Sequence, residues 1–343
     1  MSNKAVVILN YNGKQHLENY LSNIIDNTSS EAEIIIIDNA STDDSLLFLK
    51  ENFNQIRTIV LDKNHGFAGG YNEGLKQVSH EYLVLLNSDI EVTKDWDNAI
   101  WDTLKDQTIG AVQPRILDLK DKSKYEYAGA GGGYVDKFYF PFCRGRIFSE
   151  LESKQTHFDY SDKMFWASGA AFGIRKSIYD KLGGFDTDFF AHMEEIDLCY
   201  RLQNHGFKIA YNPESTVYHL GGGTLNMMSP FKTYLNYRNG LTLILKNHFH
   251  TPIFPVLFIR MILDGLSGVN FLMRMMPRHT IAILKGHISF YSNLSHTLKK
   301  RKVLKAISKK NTPFGMYQKS IVSAYFIGKV KQFSQLNDTD FSN

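Results

Sequence analysis

Cysteine is almost missing from this chain: Cys143 and Cys199 are the only two in 343 residues. Two thiols cannot build a disulfide framework, which excludes the small stapled secreted scaffolds and fits a reducing compartment. Long apolar runs are absent as well. Ala5–Leu9 is far shorter than the core of a signal peptide, and reads as a buried strand. The longest apolar candidate, residues 247–259, has only 13 residues free of Lys, Arg, Asp and Glu, and it holds two His and two Pro. A membrane span needs about 20 apolar residues, so no spanning helix is expected. No internal repeat is visible. No Gly-x-Gly-x-x-Gly follows the first apolar run, which disfavours a dinucleotide dehydrogenase. No glycine-rich phosphate loop stands there either, since Asn10-Tyr11-Asn12-Gly13 is not one, and this disfavours a nucleotidyltransferase.

What is present is ordinary for a folded protein. Hydrophobic residues make up 43% and charged residues 22%, which excludes a disordered, collagenous or low-complexity chain. The length allows one large domain, or one domain with a substantial appendage. The net charge of +4 hides a division. From Asn226 onward there are 17 Lys and Arg against three acids, a balance of +14, while residues 1–225 carry −10. Such asymmetry suggests a catalytic or binding part joined to a part that meets an anionic surface. The basic part carries no recognisable nucleic-acid-binding motif, so no nucleic-acid partner is expected. Its residues Tyr234, Tyr237, Leu241, Ile244 and Leu245 fall at helical spacing. Phe254–Leu263, Phe271–Met276 and the basic run Lys299–Lys302 follow. Amphipathic helices of this kind suit either an anionic membrane surface or a packed helical subdomain.

The first ninety residues alternate regularly. Apolar runs at Ala5–Leu9, Glu33–Ile37, Thr58–Leu61 and Tyr82–Leu86 are separated by helical patterns at Lys14–Asp26, Ser45–Phe53 and Gly70–Val78. Continuous apolar strands between helices predict a mostly parallel sheet covered on both faces. Ligands bind at the carboxyl ends of such strands, where polar clusters are in fact found. They are Asn10-Tyr11-Asn12, Asp38-Asn39-Ala40-Ser41, Asn64 through Asn72, and Asn87-Ser88-Asp89. Helix capping explains any one of them, but four in series point to a ligand edge. The glycine-rich Gly129–Gly133 with the aromatic Phe138–Phe142 reads as a mobile loop beside a binding surface.

Three clusters carry chemistry. Asp89 at a strand tip can ligate a hard divalent cation that bridges nucleotide phosphates. Glu194-Glu195-x-Asp197 opens a helix on which Asp197 and Arg201 stand four apart and pair. Adjacent carboxylates there, with Asp186 and Asp188 nearby, make a general base plausible through raised pKa values. His219, followed by Gly221-Gly222-Gly223-Thr224, can set an imidazole or backbone amides against a metal–phosphate group.

In this order the motifs resemble family 2 glycosyltransferases, and within them the rhamnosyltransferase-like branch of bacterial surface-polysaccharide synthesis. They run Val-Ile-Leu-Asn-Tyr-Asn, Ile-Asp38-Asn-Ala-Ser, Asn64-x-Gly-Phe-Ala-Gly-Gly-x-Asn72-x-Gly, Asn87-Ser-Asp89, Glu194-Glu195-x-Asp197-Leu-Cys-x-Arg201 and His219-x-Gly-Gly-Gly-Thr. The likeness covers roughly residues 4–225. It implies a GT-A fold, an α/β architecture, over residues 1–225; residues 226–343 read, from their own charge and spacing, as a basic, amphipathic helical C-terminal extension. It implies inversion at the anomeric carbon and a Mg or Mn ion. The donor would be a nucleotide-diphospho-sugar (dTDP- or UDP-linked), the acceptor a glycan or lipid-linked glycan, at the inner face of a bacterial cell membrane. By motif position Asp38 contacts the base, Asp89 the metal, His219 the metal or diphosphate, and Glu195 is the catalytic base. Asn10, Tyr11, Asn64, Gly69, Asn72, Asn87, Ser88 and Trp166 complete the expected nucleotide-sugar site. Two positions depart from the family pattern: Asn87 replaces the first acid of an Asp-x-Asp, and Glu195 stands where Asp is more usual. The competing reading is a catalytically inactive sugar-nucleotide-binding subunit that recruits partners to the membrane. Retention of Asp89, Glu195 and His219 argues against it.

Overall fold

The computed structural model describes residues 3–127, 129–221, 229–309 and 312–342. The first ninety residues alternate as their pattern requires. They form β1 (Lys4–Asn10), α1 (Lys14–Asn27), β2 (Ala32–Asp38), α2 (Ser45–Asn52), β3 (Arg57–Val60), α3 (Gly66–Gly74) and β4 (Tyr82–Asn87). β3, β2, β1 and β4 lie side by side and parallel, with Asn10 opposite Asp38 at the carboxyl edge. Strand side chains alternate between faces. Val7, Ile35, Ile37 and Leu85 therefore enter one core, while Val6, Ile8, Ile36 and Leu86 enter another on the opposite face.

Beyond β4 the sheet becomes mixed. The chain continues through β5 (Ile90–Val92), α4 (Asn98–Lys105), β6 (Ile109–Asp118), β7 (Gly133–Asp136), β8 (Pro141–Cys143), β9 (Arg146–Ile147) and β10 (Glu150–Leu151). It then forms β11 (Ser161–Met164), β12 (Ala171–Arg175), α5 (Lys176–Lys181), α6 (Glu194–Asn204) and β13 (Lys208–His219). β12 sits antiparallel between β4 and β6, and β13 runs parallel to β6. Two reversals make β13 parallel to β4, so His219 arrives at the same edge as Asn87.

The segment expected to be a mobile loop is instead the core of a small second sheet, β10-β9-β8-β7, which a strand near the C-terminus completes. Tyr139 and Phe142 are buried, and Tyr139 Oη lies 2.6 Å from Tyr200 Oη and 2.7 Å from His248 Nδ1. Gly133 is required by close approach, because a Cβ there would lie 2.2 Å from the Trp166 ring. The aromatic run looked like a binding surface only because its packing partners are far away in sequence.

Four helices follow: α7 (Pro230–Asn247), α8 (Ile253–Met273), α9 (Pro277–Ser292) and α10 (Leu294–Ile307). The C-terminal region is not wholly helical, however. β14 (Met316–Tyr317) pairs parallel with β7, and α11 (Ile321–Phe326) begins where the Ile321 amide donates to buried Asp136, at 2.9 Å. Phe333 and Phe341 then pack on Tyr134, with ring centroids 4.9 and 5.3 Å away. The expected boundary between residues 225 and 226 falls outside the described residues. α8 is longer and more apolar than the charge-free run suggested: its 21 residues of mean hydropathy 1.6 could cross a membrane by length and composition. Arg260 and Asp264 interrupt the sequence run, but they lie four apart and pair with each other at 2.8 Å, both buried.

The helical region is welded to the sheet by buried charge. Asp197 on α6 accepts from Arg201 Nε at 2.8 Å, from Asn247 Nδ2 at 2.8 Å and from Lys246 Nζ at 2.9 Å. Lys246 also pairs with Asp186, which Lys300 reaches from α10 at 2.7 Å. Lys300 and His296 hold Asp188 at 2.6 and 2.8 Å. Part of the tail's positive charge is thus spent inside the molecule. Removing one member of a buried charge group costs about 3–5 kcal/mol. Lys246→Met should therefore lower the unfolding free energy in urea by about 3 kcal/mol. Lys319→Met breaks only the exposed pair with Asp340 and should cost less than about 1 kcal/mol.

Candidate active site

The carboxyl edge of the parallel strands is organised by side chains that fold loops over it. Asn10 Nδ2 donates to Asp38 Oδ2 at 2.9 Å and to Ser41 Oγ at 3.1 Å, and the Ser41 amide donates to Asp38 Oδ1 at 2.8 Å. Asp38 and Asn10 are both fully buried. Asp38 therefore shapes the loop after β2, and both its oxygens are engaged in doing so. Asn12 and Ala40 adopt positive φ in these loops, and Asn12 Oδ1 accepts from the Thr42 amide at 2.7 Å. Tyr11, 47% exposed, is the large side chain this strand end presents to solvent.

Asn87 ends β4, Ser88 and Asp89 follow it, and β13 brings His219 to them. His219 Nε2 lies 3.2 Å from Asp89 Oδ1 and 3.4 Å from Asn87 Nδ2, and its Nδ1 lies 3.4 Å from Glu126 Oε1. Asp89, His219 and Glu126 are all buried. Burial opposes a charged imidazole, but the Glu126 and Asp89 carboxylates outweigh it and push the His219 pKa up to about 10. Burial would also raise Asp89, yet the hydrogen bond and charge of His219 hold it below the ordinary carboxylate range. Among the described residues no group of three or more His, Cys, Asp or Glu side chains is arranged to hold a metal ion by itself. A divalent cation that takes its other ligands from a bound diphosphate needs few protein ligands: Asp89 offers a carboxylate for one, and His219 would offer Nε2 only after giving up its proton.

The third part of the edge is the start of α6. Phe190, His192 and Met193 all have positive φ, a run of left-handed backbone that costs about 1–3 kcal/mol per residue unless its surroundings impose it. Those surroundings are on α7. Asn239 Nδ2 donates to the carbonyls of Phe189, Ala191 and His192 at 3.0, 3.0 and 2.7 Å, and Arg238 reaches those of Asp188 and Phe189. The strained turn aims Glu194 and Glu195. Glu194 is buried, while Glu195 is half-buried, its Cβ beside Gly169, which also faces Phe67. Among the described residues neither Oε2 has a hydrogen-bond partner. Burial, then the charge of Glu195, lifts Glu194 well above the carboxylate range, and burial lifts Glu195 to about 7. Asp197 adds a smaller push to Glu194, whereas Asp186 and Asp188, expected to raise these groups, are instead paired with Lys246, Lys300 and His296.

Other expected site residues are committed to packing. Asn72 accepts from Tyr179 Oη at 2.6 Å and from the Phe185 amide at 3.0 Å, and donates to the Phe185 carbonyl at 2.8 Å. It ties α3 to the loop before α6. Trp166 is buried and donates from Nε1 to the Tyr134 carbonyl at 3.0 Å, joining the two sheets. Gly69 is buried where a Cβ would meet His65 Cβ at 2.9 Å. Asn64 is exposed and its Oδ1 accepts from Asn39 and from the Gly66 amide. Gly222, Gly223 and Thr224 lie outside the described residues. Sequence reasoning missed Glu126, which stands in an irregular stretch with no motif around it. It also missed Arg238 and Asn239, whose partners are about fifty residues away.

Comparison with known proteins gives the family and the fold. The model of glycosyl transferase family 2 matches residues 5–183. The low-salt glycan biosynthesis hexosyltransferase of Haloferax volcanii is 23% identical over 240 residues, which is 68% of this chain and 73% of that protein. The N-acetylglucosaminyl-diphospho-decaprenol L-rhamnosyltransferase of Mycobacterium tuberculosis is 25% identical over 235 residues, 62% of this chain and 75% of that protein. A solved mannosyltransferase from Pyrobaculum calidifontis, in complex with GDP-Man and Mn2+, superposes with a TM-score of 0.50 at 14% identity, covering 89% and 83% of the two chains. That last likeness is one of fold alone, and the fold is GT-A.

The two glutamates give a pH signature. A carboxyl whose pKa is raised on folding favours the folded state while protonated, and that advantage is lost as pH rises from its ordinary value of 4.5 through the raised one. Glu194→Gln cannot ionise. Its Tm should match the wild type near pH 4.5 and exceed it by at least about 2 °C near pH 8, as calorimetric scans across that range would read.

Proposed function

The chain belongs to glycosyl transferase family 2, and from that premise we propose that it is an inverting enzyme in which Glu195 is the general base. The sugar comes from a nucleotide-diphospho-sugar, dTDP- or UDP-linked, and passes to a glycan or lipid-linked glycan acceptor. The observation that carries this reading is the half-buried Glu195 at the carboxyl edge of the sheet, its pKa lifted to about 7. A base with a pKa near the working pH combines a substantial ionised fraction with useful basicity. Asp197 is a poor candidate because its carboxylate is consumed by Arg201, Lys246 and Asn247. Glu194 is buried and held protonated more firmly.

The step is a single displacement. Glu195 takes the proton of an acceptor hydroxyl, and that oxygen attacks the anomeric carbon from the face opposite the diphosphate. The bond from that carbon to the diphosphate oxygen breaks, and the nucleoside diphosphate leaves with the electron pair. Asp89 and His219 would hold a divalent cation, Mg or Mn, whose chemistry is to neutralise charge on the departing diphosphate. Glu126 and Asn87 bracket the His219 ring and fix its orientation. Tyr11 would meet the nucleoside base, on a strand end whose loops the buried Asn10–Asp38 pair holds in shape.

The acceptor class follows from kinship. The mycobacterial relative is named for N-acetylglucosaminyl-diphospho-decaprenol and L-rhamnose. Rhamnose as donor sugar and a lipid-linked acceptor are accordingly the first choices here. A lipid-linked acceptor requires that the chain work at a membrane surface, and the basic residues 226–343 suit an anionic one, the inner face of a bacterial cell membrane.

Two substitutions test the chemistry. Glu195→Gln keeps size and polarity, so donor affinity should persist while kcat falls by about 10²–10⁴-fold and the rise of kcat with pH through about 7 disappears. If Glu194→Gln behaves this way and Glu195→Gln does not, the base is Glu194. Asp89→Ala should abolish the Mn-dependent part of donor binding in calorimetry. Unchanged metal-dependent affinity in that variant removes Asp89 from the site.

A further inference from the structure

α8 presents a single apolar stripe to solvent. Phe254, Phe258, Ile262, Leu266, Val269 and Met273 recur every three or four residues, and each is 48–74% exposed. The opposite face holds the only two charged residues of the helix, Arg260 and Asp264, at 3% and 0% exposure. Only 17% of the helix's most apolar window is buried inside the protein. This inverts the pattern of an amphipathic helix at a protein surface, which turns its charges outward.

α9 continues the surface. The two helices lie antiparallel, with Tyr291 Oη against Met261 Sδ, His287 Nε2 against Asp264 Oδ2, and Thr280 Oγ1 against the Gly268 carbonyl. In this register Ile281, Leu284 and Ile288, all more than half exposed, extend the stripe. Arg274, Arg278 and Lys285 are exposed along the same hairpin, with no acidic partner at salt-bridge distance among the described residues. Asp264, buried, is the only acid in α7 through α10.

We propose that the α8–α9 hairpin is a monotopic anchor that lies in the plane of an anionic bilayer leaflet, immersing its apolar stripe without crossing. This rests on the reading that the chain works at a membrane. The basic rim selects the occupant. A second copy docking through the same face would set cationic rim against cationic rim, whereas anionic headgroups complement it. Attachment to the catalytic part excludes a span. Arg260 donates to the Phe138 and Tyr139 carbonyls at 3.1 Å each and lies 3.8 Å from the Phe140 ring centroid. At about 1.5 Å per residue α8 is about 31 Å long, enough to span. To do so it would have to tear Arg260 and Asp264 from these partners and carry them into hydrocarbon, which is costly. Lying flat, it keeps them and still buries the stripe.

The test uses the full chain with single cysteines introduced in turn as Phe254→Cys, Ile262→Cys and Met273→Cys. The native thiols of Cys143 and Cys199 are buried, so a polarity-sensitive dye labels the new one. With phosphatidylglycerol vesicles all three labels should enter an apolar environment at one shallow depth, and with phosphatidylcholine vesicles far less. Phe258→Glu with Leu266→Glu should weaken vesicle partition by roughly ten- to a hundredfold or more, with hydrolysis of the nucleotide-sugar donor unchanged. A deep central label between two shallow ends would mean that α8 spans, and would overturn the proposal. So would flotation with all three labels still in water, though the membrane reading would then survive. Failure to float at low salt would remove the membrane reading itself. A lipid-free dimer that the double variant dissociates would make a second copy the occupant and also overturn the anchor.

Discussion

Asp197 is wholly buried on the helix that carries the candidate base, and an uncompensated carboxylate there would be too costly to keep. Arg201 supplies one cation from the same helix, while α7 supplies a second, Lys246, and a neutral amide donor, Asn247. The fold of the first two hundred residues therefore cannot close its own electrostatics. It depends on the C-terminal helices, and they depend on it, because Lys246 is equally buried and needs Asp186 and Asp197. The charge division in the sequence, acidic before Asn226 and basic after it, is in part the two sides of this junction.

The same junction shapes the active edge. With α7 fixed by Lys246, Asn239 lies under the turn before α6, where its amide collects three carbonyls that a left-handed backbone has turned away from any helix or strand. A turn of this kind persists only when something outside it over-determines the conformation. What it delivers is Glu194 and Glu195 at the mouth of the sheet with little solvent to stabilise their charge. The Asp89–His219 cluster is built differently. Asp89 and His219 arrive on strand ends, so their separation is set by backbone pairing, and Glu126 then holds the far side of the imidazole. One side of the site is thus rigid by sheet geometry and the other by a clamp from the appended helices.

The alternation of strands and helices through Leu86 could be read directly, because each strand is buried on both faces and its apolar run is unbroken. The Asp197–Arg201 pair was also legible, from four-residue spacing on a helix, as were the positions of Asp89 at a strand end and Glu195 at a helix start; that β13 carries His219 to Asp89 was not. The sequence by itself determined those local elements and which residue types stand at the carboxyl edge, since periodicity and capping act over a few residues. Only the tertiary structure decided which polar residues the site keeps. Asn72 and Trp166 carry the same chemistry as their expected roles, but their hydrogen bonds go to Phe185, Tyr179 and Tyr134, partners distant in sequence. It also decided the character of α8. Two charges broke its apolar run on paper, and a buried ion pair four residues apart removed them from its surface. Long-range pairing of this kind leaves no local pattern, because its energy is realised only when the partners meet.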